Sequence, residues 1–315
     1  MNKIDFGTTG IKISPIIFGG NVFGWTLNEK ESFKILDQIT EMGINCIDTA
    51  DVYSRWAPGN EGGESESIIG EWMKQRNNRD KFIICTKTGM DVGQGHVDIS
   101  AKHIFNSVEK SLQRLKTDYL DLYYAHKDDE KTEPEETLEA FQKLIKDGKV
   151  RHIGASNFSA ERLEASLNIS IKEGLPKYEI FQPEYNLLER KSFEGNIESV
   201  CKEHKLGVAS YFSLASGMLT GKYKNEEDLE KSSRTTQVKK YWNENTKKIL
   251  ETVKHISKNH NTSQAVISLA WIMQRPNITA PIVSATKDKH LKAFEEAISI
   301  NLSKEEMDML NNISA

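Results

Sequence analysis

The chain has 315 residues, 37% hydrophobic and 28% charged, enough to bury one large core or two ordinary ones without a covalent staple. A formal charge of -4 supplies no global basic field for nucleic acid or an anionic membrane, so small molecules and other proteins are the expected partners. The three cysteines (Cys46, Cys85, Cys201) are widely spaced and read as reduced core residues, and no apolar run reaches the length of a membrane span, which together point to a soluble cytoplasmic protein.

Residues 2–14, with a Gly-Thr-Thr-Gly turn at 7–10, read as a β-hairpin. Eight short apolar runs follow: IIFGG (16–20), INCID (44–48), FIICTK (82–87), YLDLYYAH (119–126), VRHIGAS (150–156), YEIFQ (178–182), LGVASYF (206–212) and ITAPIVSA (278–285). Helix signals lie between them. After Ser100, a fitting N-cap, Ile104, Val108, Leu112 and Leu115 share one face. Pro134 suits a first helical turn, Leu138, Phe141, Leu144 and Ile145 continue the stripe, and Gly148 stops it. Strand and helix alternating eight times, at a period of roughly 30 residues, predict a (β/α)8 TIM barrel with an N-terminal hairpin, extra helices near the C-terminus and a single domain over 1–315. The interval between the seventh and eighth runs is long, and its polar part (221–242) reads as a mobile loop that covers a ligand.

In a barrel of this kind the C-terminal strand ends face the active site. Those ends are Asp48, Lys87, His126, Ser156, Gln182 and Tyr211, with Tyr53 in the loop after Asp48. Each alone has an ordinary structural reading: a capping acid, a rim aromatic, a solvated lysine, a core histidine. Their co-occurrence at three neighbouring strands favours one site. A lysine ammonium beside a tyrosine is expected to lower the phenol's pKa and make it a usable acid, while the carboxylate keeps the buried lysine charged. The histidine adds a directional hydrogen bond to a substrate oxygen. Such a set protonates a carbonyl oxygen; the hydride that completes a reduction must come from a nicotinamide cofactor.

The runs IDTADVYS, CTKTG, YYAHKDD, GKVRHIGASNF, FQPEYNLLER and SYFSLASGMLTGKY occur in an order that resembles the aldo-keto reductase superfamily over nearly the whole chain. The resemblance implies an NADPH-dependent reductase of aldehydes or ketones. Asp48, Tyr53, Lys87 and His126 match its catalytic tetrad, with Tyr53 as general acid. Ser156, Asn157 and Gln182 match the residues that hold the nicotinamide carboxamide, and Tyr211 the residue that stacks on the ring. Ser284, Thr286, Lys287 and His290 match the 2'-phosphate motif of NADP, where a helix N-terminus near 288 favours an anion. Phe294 stands where an asparagine is common and a frequent arginine is absent, which leaves NAD open. Trp25 and Trp56 either wall an apolar substrate pocket or pack the rim. A cofactor-sensing subunit resembling channel-associated β-subunits is the alternative function. No metal cluster has credible ligand spacing, and neither the carbonyl substrate nor the oligomeric state is legible.

Overall fold

The computed structural model describes residues 1–232 and 234–315. Strands β1 (Ile4–Asp5) and β2 (Lys12–Ile13) pair antiparallel as the expected hairpin, with Ile4 opposite Ile13. Each of the eight apolar runs supplies one parallel strand: β3 (Ile17–Gly19), β4 (Cys46–Asp48), β5 (Ile83–Thr88), β6 (Leu120–Ala125), β7 (Val150–Ser156), β8 (Ile180–Gln182), β9 (Gly207–Ser210) and β10 (Ala280–Val283). They follow one another around a closed barrel, and β10 returns to pair with β3.

Helices form the outer layer. Ser100 accepts from the His103 amide at the start of Ala101–Leu115, and Pro134 opens Pro134–Lys146, where its missing N–H costs nothing. The stripes buried against the barrel are those read from the sequence: Ile104, Val108, Leu112 and Leu115 on one helix, Leu138, Phe141 and Leu144 on the next. Gly148 ends the second at φ +74°, a left-handed conformation that glycine adopts without strain. Extra helices Glu244–Asn259 and Lys304–Ile313 lie near the C-terminus.

Side chains alternate across each strand, so residues two apart share the bore. Ile17, Cys46, Cys85, Leu122, Ile180, Ala209 and Ala280 fill it, and Phe6 and Ile13 of the hairpin join the same buried cluster. The hairpin therefore closes the N-terminal end. Its Gly7 (φ +57°) sits so close to β9 that a Cβ there would lie 2.8 Å from the Gly207 nitrogen. The opposite end stays open, and the next inward residues along the strands, Asp48, Lys87, Ser156 and Gln182, point there.

The 221–242 segment, which reads in the sequence as a mobile loop, contains local structure that such a reading does not include. It carries two short helices, Glu226–Glu230 and Thr235–Lys239, packed through the buried residues Tyr223, Leu229, Val238 and Tyr241; Ser233 lies outside the described residues. Those apolar anchors are too far apart to show a helical period among so many charges.

Candidate active site

β4 and β5 run side by side with Asp48 opposite Cys85, which puts Asp48 and Lys87 next to each other above the cysteine layer. The Cys46 and Cys85 sulfurs touch at 3.7 Å beneath them. Lys87 is fully buried and its three ammonium protons each have an acceptor: Asp48 Oδ1 at 2.5 Å, the Thr49 carbonyl at 2.8 Å and the Tyr53 oxygen at 2.8 Å. The Tyr53 hydroxyl donates to Asp48 Oδ1 at 3.2 Å, and the Gln182 amide donates to Asp48 Oδ2 at 2.9 Å. Phenol, ammonium and carboxylate thus form one hydrogen-bonded triangle at the floor of the open end.

Burial pulls the Lys87 ammonium toward losing its proton, and the adjacent Asp48 charge opposes this. The expected lowering of the Tyr53 pKa is not what the geometry gives. Burial raises it well above 10.0, and the charge of Asp48 and the hydrogen bond to it raise it further. Burial penalises the phenolate first, and because the phenol donates to the carboxylate, ionising it would also place two anions against each other beside a single cation. Tyr53 accordingly holds its proton firmly at neutral pH.

His126 follows the last residue of β6, and its amide donates to the Thr88 carbonyl at 2.8 Å. Its ring centroid lies 6.2 Å from that of Tyr53 at 71°, across the mouth and not in the triangle. Burial, then the Lys87 charge, lowers its pKa well below 6.5, so it is neutral. Nδ1 is buried with no partner among the described residues, which leaves Nε2 to meet a ligand.

The residues matched to nicotinamide binding form a second chain of hydrogen bonds joined to the first. The Tyr211 hydroxyl donates to Asn157 Oδ1 at 2.7 Å, the Asn157 amide donates to Ser156 Oγ (3.0 Å) and to the His126 carbonyl (2.9 Å), and Ser156 Oγ donates to the Gln182 carbonyl at 2.8 Å. Asn157 sits at φ +54°, a conformation asparagine tolerates better than most residues.

At the other matched site, Ser284 Oγ is engaged across the β10–β3 seam with the Gly19 carbonyl (2.7 Å) and Asn21 Oδ1 (2.5 Å). The Thr286 amide donates to His290 Nδ1 at 3.3 Å, and Lys287 occupies the N-cap position of helix Asp288–Ser299. Burial lowers the His290 pKa, and the charges of Lys289, Lys222 and Lys287 lower it further, while the Lys222 ammonium lies where it would be 2.9 Å from a Cβ on Gly217. Lys222 lies in the TGKY run, where a lone exposed lysine carries no periodic signal to mark it in the sequence.

Trp25 and Trp56 meet edge to face at 5.5 Å, and Trp56 lies 6.0 Å from the Tyr53 ring. Both therefore stand at the mouth, Trp56 still 48% exposed. Arg234, also unread in the sequence, reaches across from the 221–242 segment to place its guanidinium 5.2 Å from the Trp25 ring. Behind the triangle, Asp51 is buried with neither carboxylate oxygen partnered among the described residues, near the Glu66–Arg114 pair. Burial, then the Glu66 charge, raises its pKa well above 3.8.

The family model described as the Aldo/keto reductase family matches residues 15–315. The chain belongs to the aldo-keto reductase family. It is 33% identical to an uncharacterised oxidoreductase, YrpG, of Bacillus subtilis (strain 168), over 98% of this chain and 94% of that protein. It is likewise 33% identical to the aldo-keto reductase YhdN of the same organism, over 99% and 93%. A probable voltage-gated potassium channel subunit beta of Oryza sativa subsp. japonica is 29% identical, over 95% and 92%. As an aldo-keto reductase the protein is an oxidoreductase, and members of the family use nicotinamide cofactors.

The end of β9 and the turn that follows it carry polar groups without protein partners among the described residues. After β9, Phe212, Ala215, Ser216 and Gly217 take left-handed backbone conformations, and Ser210 Oγ and Ser216 Oγ are buried without partners among the described residues. Unpaired buried hydroxyls at the end of β9 (Ser210) and in the strained turn beyond it (Ser216) are groups that a phosphate-bearing ligand would satisfy.

Proposed function

We propose that the protein reduces aldehyde or ketone carbonyls to alcohols with Tyr53 as general acid. The observation that carries this is the Tyr53–Lys87–Asp48 triangle, whose three groups are mutually hydrogen-bonded at the open end of the barrel. When bound, the nicotinamide cofactor supplies the hydride. The side chains do the rest. His126, neutral and donating from Nε2, orients the substrate oxygen; Tyr53 gives it a proton as negative charge develops there. The phenolate then finds the Lys87 ammonium already 2.8 Å away, and Asp48 keeps that ammonium charged against its burial. A positioned acid of this kind contributes roughly 10²–10⁴ in rate.

Ser156, Asn157, Gln182 and Tyr211 would hold the nicotinamide end, and Lys222, Lys287 and His290 the phosphate end. That cationic corner beside a helix N-terminus supports NADPH over NADH. Trp25 and Trp56 would wall an apolar substrate. The test is a panel of carbonyl compounds assayed with NADPH and NADH in parallel. Consumption of neither cofactor by the folded protein, with reactive aldehydes included, would exclude the proposal.

The similarity to a probable channel β-subunit favours a second reading, a cofactor-sensing regulatory subunit. It predicts slow turnover, tightly retained cofactor and copurification with a partner protein.

A further inference from the structure

The two ends of the segment between β9 and helix Glu244–Asn259 are tied to one place. At its start, the Tyr211 amide donates to the Pro183 carbonyl at 2.9 Å, and the Asn186 amide group donates to the Phe212 carbonyl at 3.0 Å. At its end, the Lys240 ammonium lies 2.7 and 3.1 Å from the two Glu184 oxygens, and the buried Tyr241 hydroxyl donates to Glu184 Oε1. Glu184 is itself the bridge partner of Tyr211 and stands two residues beyond Gln182. Between these roots the segment carries Lys222 to the cationic corner and Arg234 over Trp25 on the far side of the mouth.

We propose that Glu184 is a positioning residue that sets how long the dinucleotide is held, by clamping the C-terminal root of this segment to the strand end that carries Gln182. The inference rests on the function proposed above. Glu184 touches none of the reacting groups, and the β8–β9 pairing is made by main chain at Ile180–Gly207 and Phe181–Val208, so the barrel does not depend on it. Its carboxylate collects a cation and a phenol from a stretch more than fifty residues away in sequence. Without it, Lys240 and Tyr241 lose their shared acceptor, and the C-terminal root of the segment is held to this stretch mainly by the packing of the buried Tyr241 ring. A covering segment anchored at both ends opens less often than one anchored at one end, and a ligand held beneath such a segment leaves only when it opens.

The test is stopped-flow measurement of NADPH dissociation, with NADH in parallel, on the unaltered protein, Glu184→Ala, Glu184→Gln and Lys240→Met. The expected result for Glu184→Ala is dissociation faster by about tenfold, equivalent to about 1.4 kcal/mol. Glu184→Gln, which keeps an acceptor for Tyr241, and Lys240→Met, which keeps the Glu184–Tyr241 bond, should show about threefold each. The thermal midpoint without cofactor should stay within about 2 °C, and kcat should not fall. An unchanged dissociation rate in Glu184→Ala overturns this inference alone. Faster release together with a lowered midpoint and lowered kcat also overturns it, by assigning Glu184 to general folding. Failure of the unaltered protein to bind either cofactor overturns the proposed function, and this inference with it.

Discussion

Replacing Tyr53 by phenylalanine separates chemistry from architecture. The change keeps the ring, with its 4.5 Å contact to the Lys87 ammonium, and removes one oxygen that accepts from Lys87 and donates to Asp48. Asp48 retains Lys87 and Gln182; Lys87 retains Asp48 and the Thr49 carbonyl. One proton of the buried ammonium is left unpaired, so the stability cost should be about 1–3 kcal/mol. The catalytic cost is larger. Losing a positioned acid should lower kcat/KM by about 10²–10⁴, or about 2.7–5.5 kcal/mol of transition-state stabilisation. The assay follows NADPH consumption with a reactive aldehyde, alongside a cofactor titration and urea unfolding. Cofactor affinity within about threefold of the unaltered protein and a large loss of turnover are expected. Turnover within about threefold of the unaltered rate would refute the role given to Tyr53.

Three more outcomes follow from the same geometry. Because His126 is cationic only below its depressed pKa, acidification should not reduce kcat/KM through a step at 6.5, and Tyr53 should not lose its proton below pH 10; a pH–rate profile with a transition near 6.5 that His126→Gln abolishes would contradict this. Asp51 has a folded pKa raised above its unfolded value, so its contribution to stability is full below 3.8 and lost as pH rises toward the folded value. Asp51→Asn escapes that loss, and its stability relative to the unaltered protein, read from urea midpoints at pH 5 and pH 8, should improve at the higher pH; a relative stability that falls or stays level from pH 5 to pH 8 would show Asp51 to be ionised without penalty. At Gly154 a Cβ would meet the Tyr124 ring at 2.5 Å and the Ile180 carbonyl at 2.8 Å, so Gly154→Ala should destabilise by about 1–3 kcal/mol in chemical denaturation, and a neutral result would mean the barrel wall can yield there.

Much of the site was legible because a barrel strand has a fixed period. Asp48 and Lys87 are inward residues at the ends of apolar runs, and that position alone directs them to the open rim. Ser156, Gln182 and Tyr211 follow the same rule. Lys222 and Arg234 were not legible. They come from a segment whose anchors, Tyr223, Leu229, Val238 and Tyr241, follow neither helical nor strand spacing, so only its packing shows where its charges go. The direction of the Tyr53 shift was also hidden. A nearby lysine argues for a lowered value, and burial of the phenol, with the charge of Asp48 and the hydrogen bond to it, reverses it.

The sequence by itself determined the eightfold alternation, the hairpin, the helix boundaries marked by Ser100, Pro134 and Gly148, and the set of residues at the strand ends. These depend on local periodicity and capping, which act between neighbours along the chain. Tertiary structure alone decided which acceptor each Lys87 proton finds, why His126 stands 6.2 Å from Tyr53 and outside the triangle, and how Glu184 gathers Lys240 and Tyr241. Those are distances between segments far apart in the chain, set by closure of the barrel and by packing, and no local pattern encodes them.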